Sequence, residues 1–174
     1  MLSTGRHIVF ATLALTILPT VICALNEYQW GTVTNIDIDT QDGHITSQGD
    51  VRVGTTTITL NISGDDPEAI ITADNSTAAQ LTDTDGGATD TLVTKYNLKF
   101  DGDGSSKSGG TSMEDDVYVD YDTFLSGGVN IQYVNGDYDV QVTLSVKVSN
   151  RADNVSDSGV YSATQTLTVA WDGE

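Results

Sequence analysis

Between Tyr138 and Val148 apolar side chains occupy every second position. Tyr138, Val140, Val142, Leu144, Val146 and Val148 fall on one side, and Asp139, Gln141, Thr143, Ser145 and Lys147 on the other. A period of two places successive side chains on opposite faces of an extended strand, so this run predicts a strand with one buried face. Val160–Trp171 repeats the pattern, with Tyr161, Ala163, Leu167, Val169 and Trp171 on one face, Ser162, Thr164, Thr166 and Thr168 opposite, and Gln165 as the single break. The turn-forming stretch Asn150–Gly159 separates the two runs. They are expected in one antiparallel sandwich, either as neighbours or facing each other across its two sheets.

The same reading extends along the chain. Tyr28, Trp30, Thr32 and Thr34 share a side if that segment is extended, as a first strand or a free arm, and Ile36–Asp39 continues the alternation. Gln41-Asp42-Gly43 then turns the chain into a weaker run from His44 to Val53. Thr56, Ile58, Leu60 and Ile62 mark a clear strand that Ser63–Pro67 ends with turn residues. A short apolar patch, Glu68–Thr72, precedes a polar stretch to Asp90 that reads mostly as loop. Leu92, Thr94, Tyr96, Leu98 and Phe100 form another alternating run. Asp101–Asp116 is the longest stretch without apolar pattern, and loops of that length are commonly functional or mobile. Val117, Val119, Tyr121 and Thr123 predict a further strand, and Val129, Ile131 and Tyr133 another. Asn135-Gly136 predicts a two-residue hairpin joining Val129–Val134 to Tyr138–Val148, because both residues accept positive φ. Eight or nine strands, with no ten-residue helical pattern beyond the N-terminal segment, predict an all-β chain: an antiparallel β-sandwich of immunoglobulin-like or jelly-roll type.

Residues 1–24 read differently. Met1–His7 is polar with Arg6 as its one Lys or Arg, Ile8–Cys23 is apolar with few interruptions, and Ile22-Cys23-Ala24 offers small residues for cleavage before Leu25. That arrangement predicts a secretory signal peptide and a single mature domain over 25–174, secreted or at the cell surface and without a membrane anchor. Cys23 is the only cysteine, so the mature domain has no internal disulfide, thiolate chemistry or Cys-ligated zinc. The mature chain keeps 25 acidic against six basic side chains. Such a balance argues against nucleic acid and against anionic membrane surfaces as partners. It fits either a solvated, self-repelling surface or sites for divalent cations.

Candidate chemistry follows from that balance. His44 is the only histidine after Leu25, too few parts for a zinc site or a nucleophilic triad, and no enzymatic activity is expected. Calcium is the candidate ion: Asp101, Asp103 and Ser105 present oxygen ligands at alternate positions of a glycine-rich turn, and Asp83 and Asp85 do so in a second turn. The ordinary reading of both is an Asp-Gly turn. Asn61, Asn75 and Asn154 head sequons that would carry glycans in a host that glycosylates exported proteins.

The leader, the Trp30-Gly31-Thr32-Val33 opening and a last strand of the form Gly159-Val160-Tyr161 followed by alternating Thr and apolar residues to Trp171 resemble a group of secreted β-sandwich proteins. The group includes spore-coat-U-like coat proteins, camelysin-like biofilm fibre proteins and archaeal bundling-pilus subunits. The resemblance implies an extracellular structural subunit that self-associates into a homopolymer, often by lending a strand to its neighbour. The cysteines common in coat proteins are absent here. Tyr28 and Trp30 are the candidate assembly residues, either within a lent strand over Leu25–Thr34 or within the chain's own first strand. The alternative function is a monomeric secreted or surface module that binds glycan or calcium.

Overall fold

A computed structural model describes residues 10–11, 27–63, 69–85, 90–102, 113–114, 116–131, 139–152, 156 and 159–171. In chain order its strands are β1 (Phe10–Ala11), β2 (Glu27–Trp30), β3 (Val51–Ser63), β4 (Ala69–Ala73), β5 (Thr82–Asp83), β6 (Val93–Gly102), β7 (Val119–Asp120), β8 (Val129–Ile131), β9 (Asp139–Ser149), β10 (Tyr161–Ser162), β11 (Thr164–Gln165) and β12 (Leu167–Trp171). One short helix, α1 (Ile38–Asp42), precedes β3.

The strongly alternating run becomes β9, which lies at the centre of a five-stranded sheet in the order β2-β3-β9-β6-β7. It is antiparallel to β3 on one side and β6 on the other, with Leu144 opposite both Thr56 and Leu98. Val140, Val142, Leu144, Val146 and Val148 are each at most 2% exposed, as the period of two requires. On the outer face Thr57 and Thr143 join hydroxyls at 2.9 Å and Gln141 Nε2 donates to Thr59 Oγ1 at 3.0 Å, cross-strand pairs of the kind that hold a register.

A second sheet, in the order β12-β4-β8, faces the first. Its Ala69, Ile71, Ile131, Leu167 and Val169 join the inner faces of β3, β6 and β9 in one apolar core. The expected antiparallel sandwich is therefore the fold, and the two runs read first belong to opposite sheets. Two short pairings complete it: β5 with β10, antiparallel, and β1 with β11, parallel.

Four local expectations are corrected. The hairpin over Asn135-Gly136, itself outside the described residues, does not ladder its two flanking strands together: β8 pairs with β4, while β9 has β3 and β6 on its two edges. Ile36–Asp39 does not extend a strand, because Asp37 caps α1, accepting from Thr40 N–H at 3.1 Å and Thr40 Oγ1 at 2.7 Å. Ile36 and Ile38 instead descend onto β3 at Gly54, where any Cβ would overlap both. The strand expected over Val117–Thr123 is reduced to β7, and turns over 121–127 bury Phe124 against Tyr96 with ring centroids 5.3 Å apart. Trp171, expected inside, is 52% exposed at the end of β12.

The polar stretch between Ala73 and Asp90 also contributes to the core, through Ala79 and Leu81. Tyr96 reaches from β6 to donate to the Ala79 carbonyl at 2.7 Å. Burial pushes its phenol well above the ordinary value of 10.0. The outer face of the large sheet is partly covered as well. Asn97, 1% exposed, donates through Nδ2 to the carbonyls of Glu114 and Val117, and Lys147 Nζ sits 5.0 Å above the Tyr118 ring.

Candidate functional site

The residues singled out for assembly lie on β2, the first strand and one edge of the large sheet. Tyr28 stands opposite Ile62 and Trp30 opposite Leu60 in an antiparallel ladder with β3, and Gly31 N–H donates to the Thr59 carbonyl at 2.8 Å. Both aromatics are half-buried and pack against the core, while Glu27 and Gln29 point to solvent. The Trp30 indole N–H is buried with no acceptor among the described residues. In this chain, then, Tyr28 and Trp30 belong to its own sheet. The strand is four residues long and, among the described residues, held by one neighbour.

The two acidic turns have different outcomes. Asp83 Oδ1 accepts the Asp85 N–H at 2.9 Å, Asp85 Oδ2 accepts the Val160 N–H at 3.1 Å, and Thr84 N–H donates to the Val160 carbonyl at 2.8 Å. These carboxylates stitch β5 to the start of β10. A Cβ at Gly159 would come within 2.8 Å of Asp83 Oδ1, so the turn closes tightly on glycine. Asp103 and Ser105, together with the side chain of Asp101, lie outside the described residues. Among the described residues no three His, Cys, Asp or Glu side chains converge as a metal site.

Of the sequons, Asn61 lies within β3 and its Nδ2, the atom that would carry a glycan, donates to the Gln29 carbonyl at 3.4 Å. Asn75, itself half-buried, sits in the largely exposed loop after β4, and Asn154 lies outside the described residues. His44 follows α1, with Nδ1 2.9 Å from Asp39 Oδ2. That contact closes the turn after the helix.

Two features escaped the sequence reading. A cleft of about 220 Å³ is lined by Gln80, Val93, Thr94, Asp120, Tyr121, Asp122 and Arg151. Two of its charges are engaged: Lys95 Nζ lies 3.0 Å from Asp120 Oδ1, and Arg151 Nη2 donates to Thr91 Oγ1. Seven positions from four segments form it, so no local motif announces it. The second feature is Asp50, which gathers the N–H and hydroxyl groups of Thr46 and Ser47 at 2.7–3.0 Å and lies 3.5 Å from Arg52 Nη2. The Thr46 N–H, with the Ser47 and Thr46 hydroxyls next, holds its carboxyl far below the ordinary 3.8. The Thr-Ser-x-x-Asp spacing is the signal that would have found it.

Among the described residues no helix is long and apolar enough to cross a membrane. No protein-family model matches the chain, and no curated protein matches it.

Proposed function

We propose that this protein is an extracellular structural subunit that self-associates into a filament, pilus-like fibre or coat, with β2 as a strand that neighbouring copies exchange. The observation that carries the reading is the form of β2. It follows directly on the expected cleavage site, it is an edge strand of four residues, and its two aromatics lie half-buried against the core from outside the central ladders. An edge strand held by one neighbour supplies the same main-chain hydrogen bonds whether it comes from its own chain or from the next copy. Exchange therefore conserves contacts within each subunit while linking subunits.

Deleting Leu25–Gly31 from the mature chain tests this. The proposal expects a protein that keeps its β-sheet circular dichroism and no longer scatters light as a polymer. A truncated protein that still polymerises like the parent removes β2 from the assembly, and a parent that stays monomeric removes the assembly itself.

A further inference from the structure

We infer that the outer edge of β11–β12 is a second, independent interaction surface, where two copies of the mature chain pair edge to edge across a two-fold axis and join their small sheets into one.

The backbone sets which groups are free. Asp74 N–H donates to the Thr166 carbonyl at 2.9 Å and Leu167 stands opposite Ala73. In an antiparallel ladder this directs the N–H and C=O of Thr166, Thr168 and Ala170 toward β4. The period of two then turns those of Gln165, Leu167 and Val169 to the opposite side. Among the described residues that side is met only by β1, in the register Phe10 to Thr164 and Ala11 to Gln165. Both β1 residues belong to the leader expected to be removed on export. The edge thus takes up an extended apolar segment when one is present, and the mature chain loses the segment that fills it.

Charge points the same way. Edge strands are normally protected from pairing by charged side chains, proline or bulges. Charged residues are 18% of this chain, yet the eleven from Tyr161 to Trp171 include none and no proline. Of the other edges, β2 carries Glu27 and β7 carries Asp120, ion-paired with Lys95, while β8 is likewise uncharged but only three residues long. A chain with so large a negative charge brings two copies together most readily where the charge is missing.

The pairing is antiparallel, with Leu167 of one copy opposite Val169 of the other and Thr168 opposite itself. The inner face then continues Leu167 and Val169 across the axis, and the outer face stacks Thr beside Thr, a favourable cross-strand pair. Trp171, half-exposed in the single chain, comes opposite Gln165 of the second copy.

Single-cysteine variants of the mature chain test this register, because that chain has no cysteine of its own. Thr164→Cys, Thr166→Cys, Thr168→Cys and Ala170→Cys are oxidised mildly and run on non-reducing gels beside Thr57→Cys, an exposed position on the outer face of the large sheet. Residues facing each other in a non-hydrogen-bonded pair have Cα atoms about 4.5 Å apart, within disulfide reach. Thr168→Cys is expected to link into dimers at least tenfold faster than Thr57→Cys, with the rate falling on either side of position 168. A flat profile, or linkage at Thr57 as fast as at Thr168, overturns the inference. Neither result depends on β2, so the test stands apart from that of strand exchange.

Discussion

The two sheets of this sandwich solve the same problem in different ways. In the large sheet β9 is enclosed on both edges by long ladders, eleven residue pairs to β3 and ten to β6, so its backbone is satisfied within the chain. In the small sheet β4 holds the central place with five pairs to β12 and three to β8, and among the described residues one long edge of β11–β12 has only two leader residues against it. Charge divides in parallel: Lys95, Lys99, Asp101, Asp139 and Lys147 lie on the central strands of the large sheet, whereas the small sheet's β12 has no charged residue. A sheet whose central strand is enclosed on both edges by long ladders stabilises the fold. A narrow, uncharged sheet with an open edge stabilises it less and is equipped to meet another strand.

The largest expected effect sharpens this contrast. Leu144 and Leu167 are both fully buried, and replacing either with alanine removes the same atoms. Leu→Ala substitutions in cores cost about 2–5 kcal/mol, depending on how far the surroundings collapse into the cavity. Leu144→Ala, fixed between β3 and β6, is expected near the top of that range, and Leu167→Ala, on an edge strand free to shift, near the bottom. Urea denaturation of both variants reads the difference, and equal losses would break the contrast.

A smaller effect concerns the entry to the large sheet. Asp50 braces the loop that leads into β3, and its hydrogen bonds hold its carboxyl below the ordinary 3.8. A depressed folded-state pKa contributes stability that is present above the unfolded value and is lost as pH falls through the folded one. Asp50→Asn is therefore expected to lower the melting temperature at pH 7, with a gap to the parent that narrows below about pH 4. A gap constant from pH 7 to pH 2 would mean that the carboxylate charge contributes nothing there.

Much of the sandwich was legible in the sequence because its main strands bury one face. Thr56–Ile62, Leu92–Phe100 and Val140–Val148 needed only the period of two, and the structure keeps their inward residues inside. Elements set by tertiary contact were not legible. Phe124 sits in a turn that looked like the end of a strand, and its burial depends on Tyr96, twenty-eight residues away. Ile36 and Ile38 alternate as a strand does, yet the cap by Asp37 and the space above Gly54 make a helix there. The partner of β9 was misjudged because Asn135-Gly136 carries local turn chemistry and no information on which strands already occupy both edges of β9. Of the candidate sites, Asp83 and Asp85 were found as a turn, but sequence spacing does not show that one oxygen of each accepts a backbone N–H, from Asp85 and from Val160. The uncharged edge was visible in the sequence all along, as an alternation without charges, and only the topology shows that it is an edge.

Negative-stain electron microscopy of the purified mature chain tests the central claim most directly. Filaments or sheets whose repeat matches a single β-sandwich domain are expected, formed without added partner. Dispersed single particles at every protein concentration and ionic strength tried would contradict it.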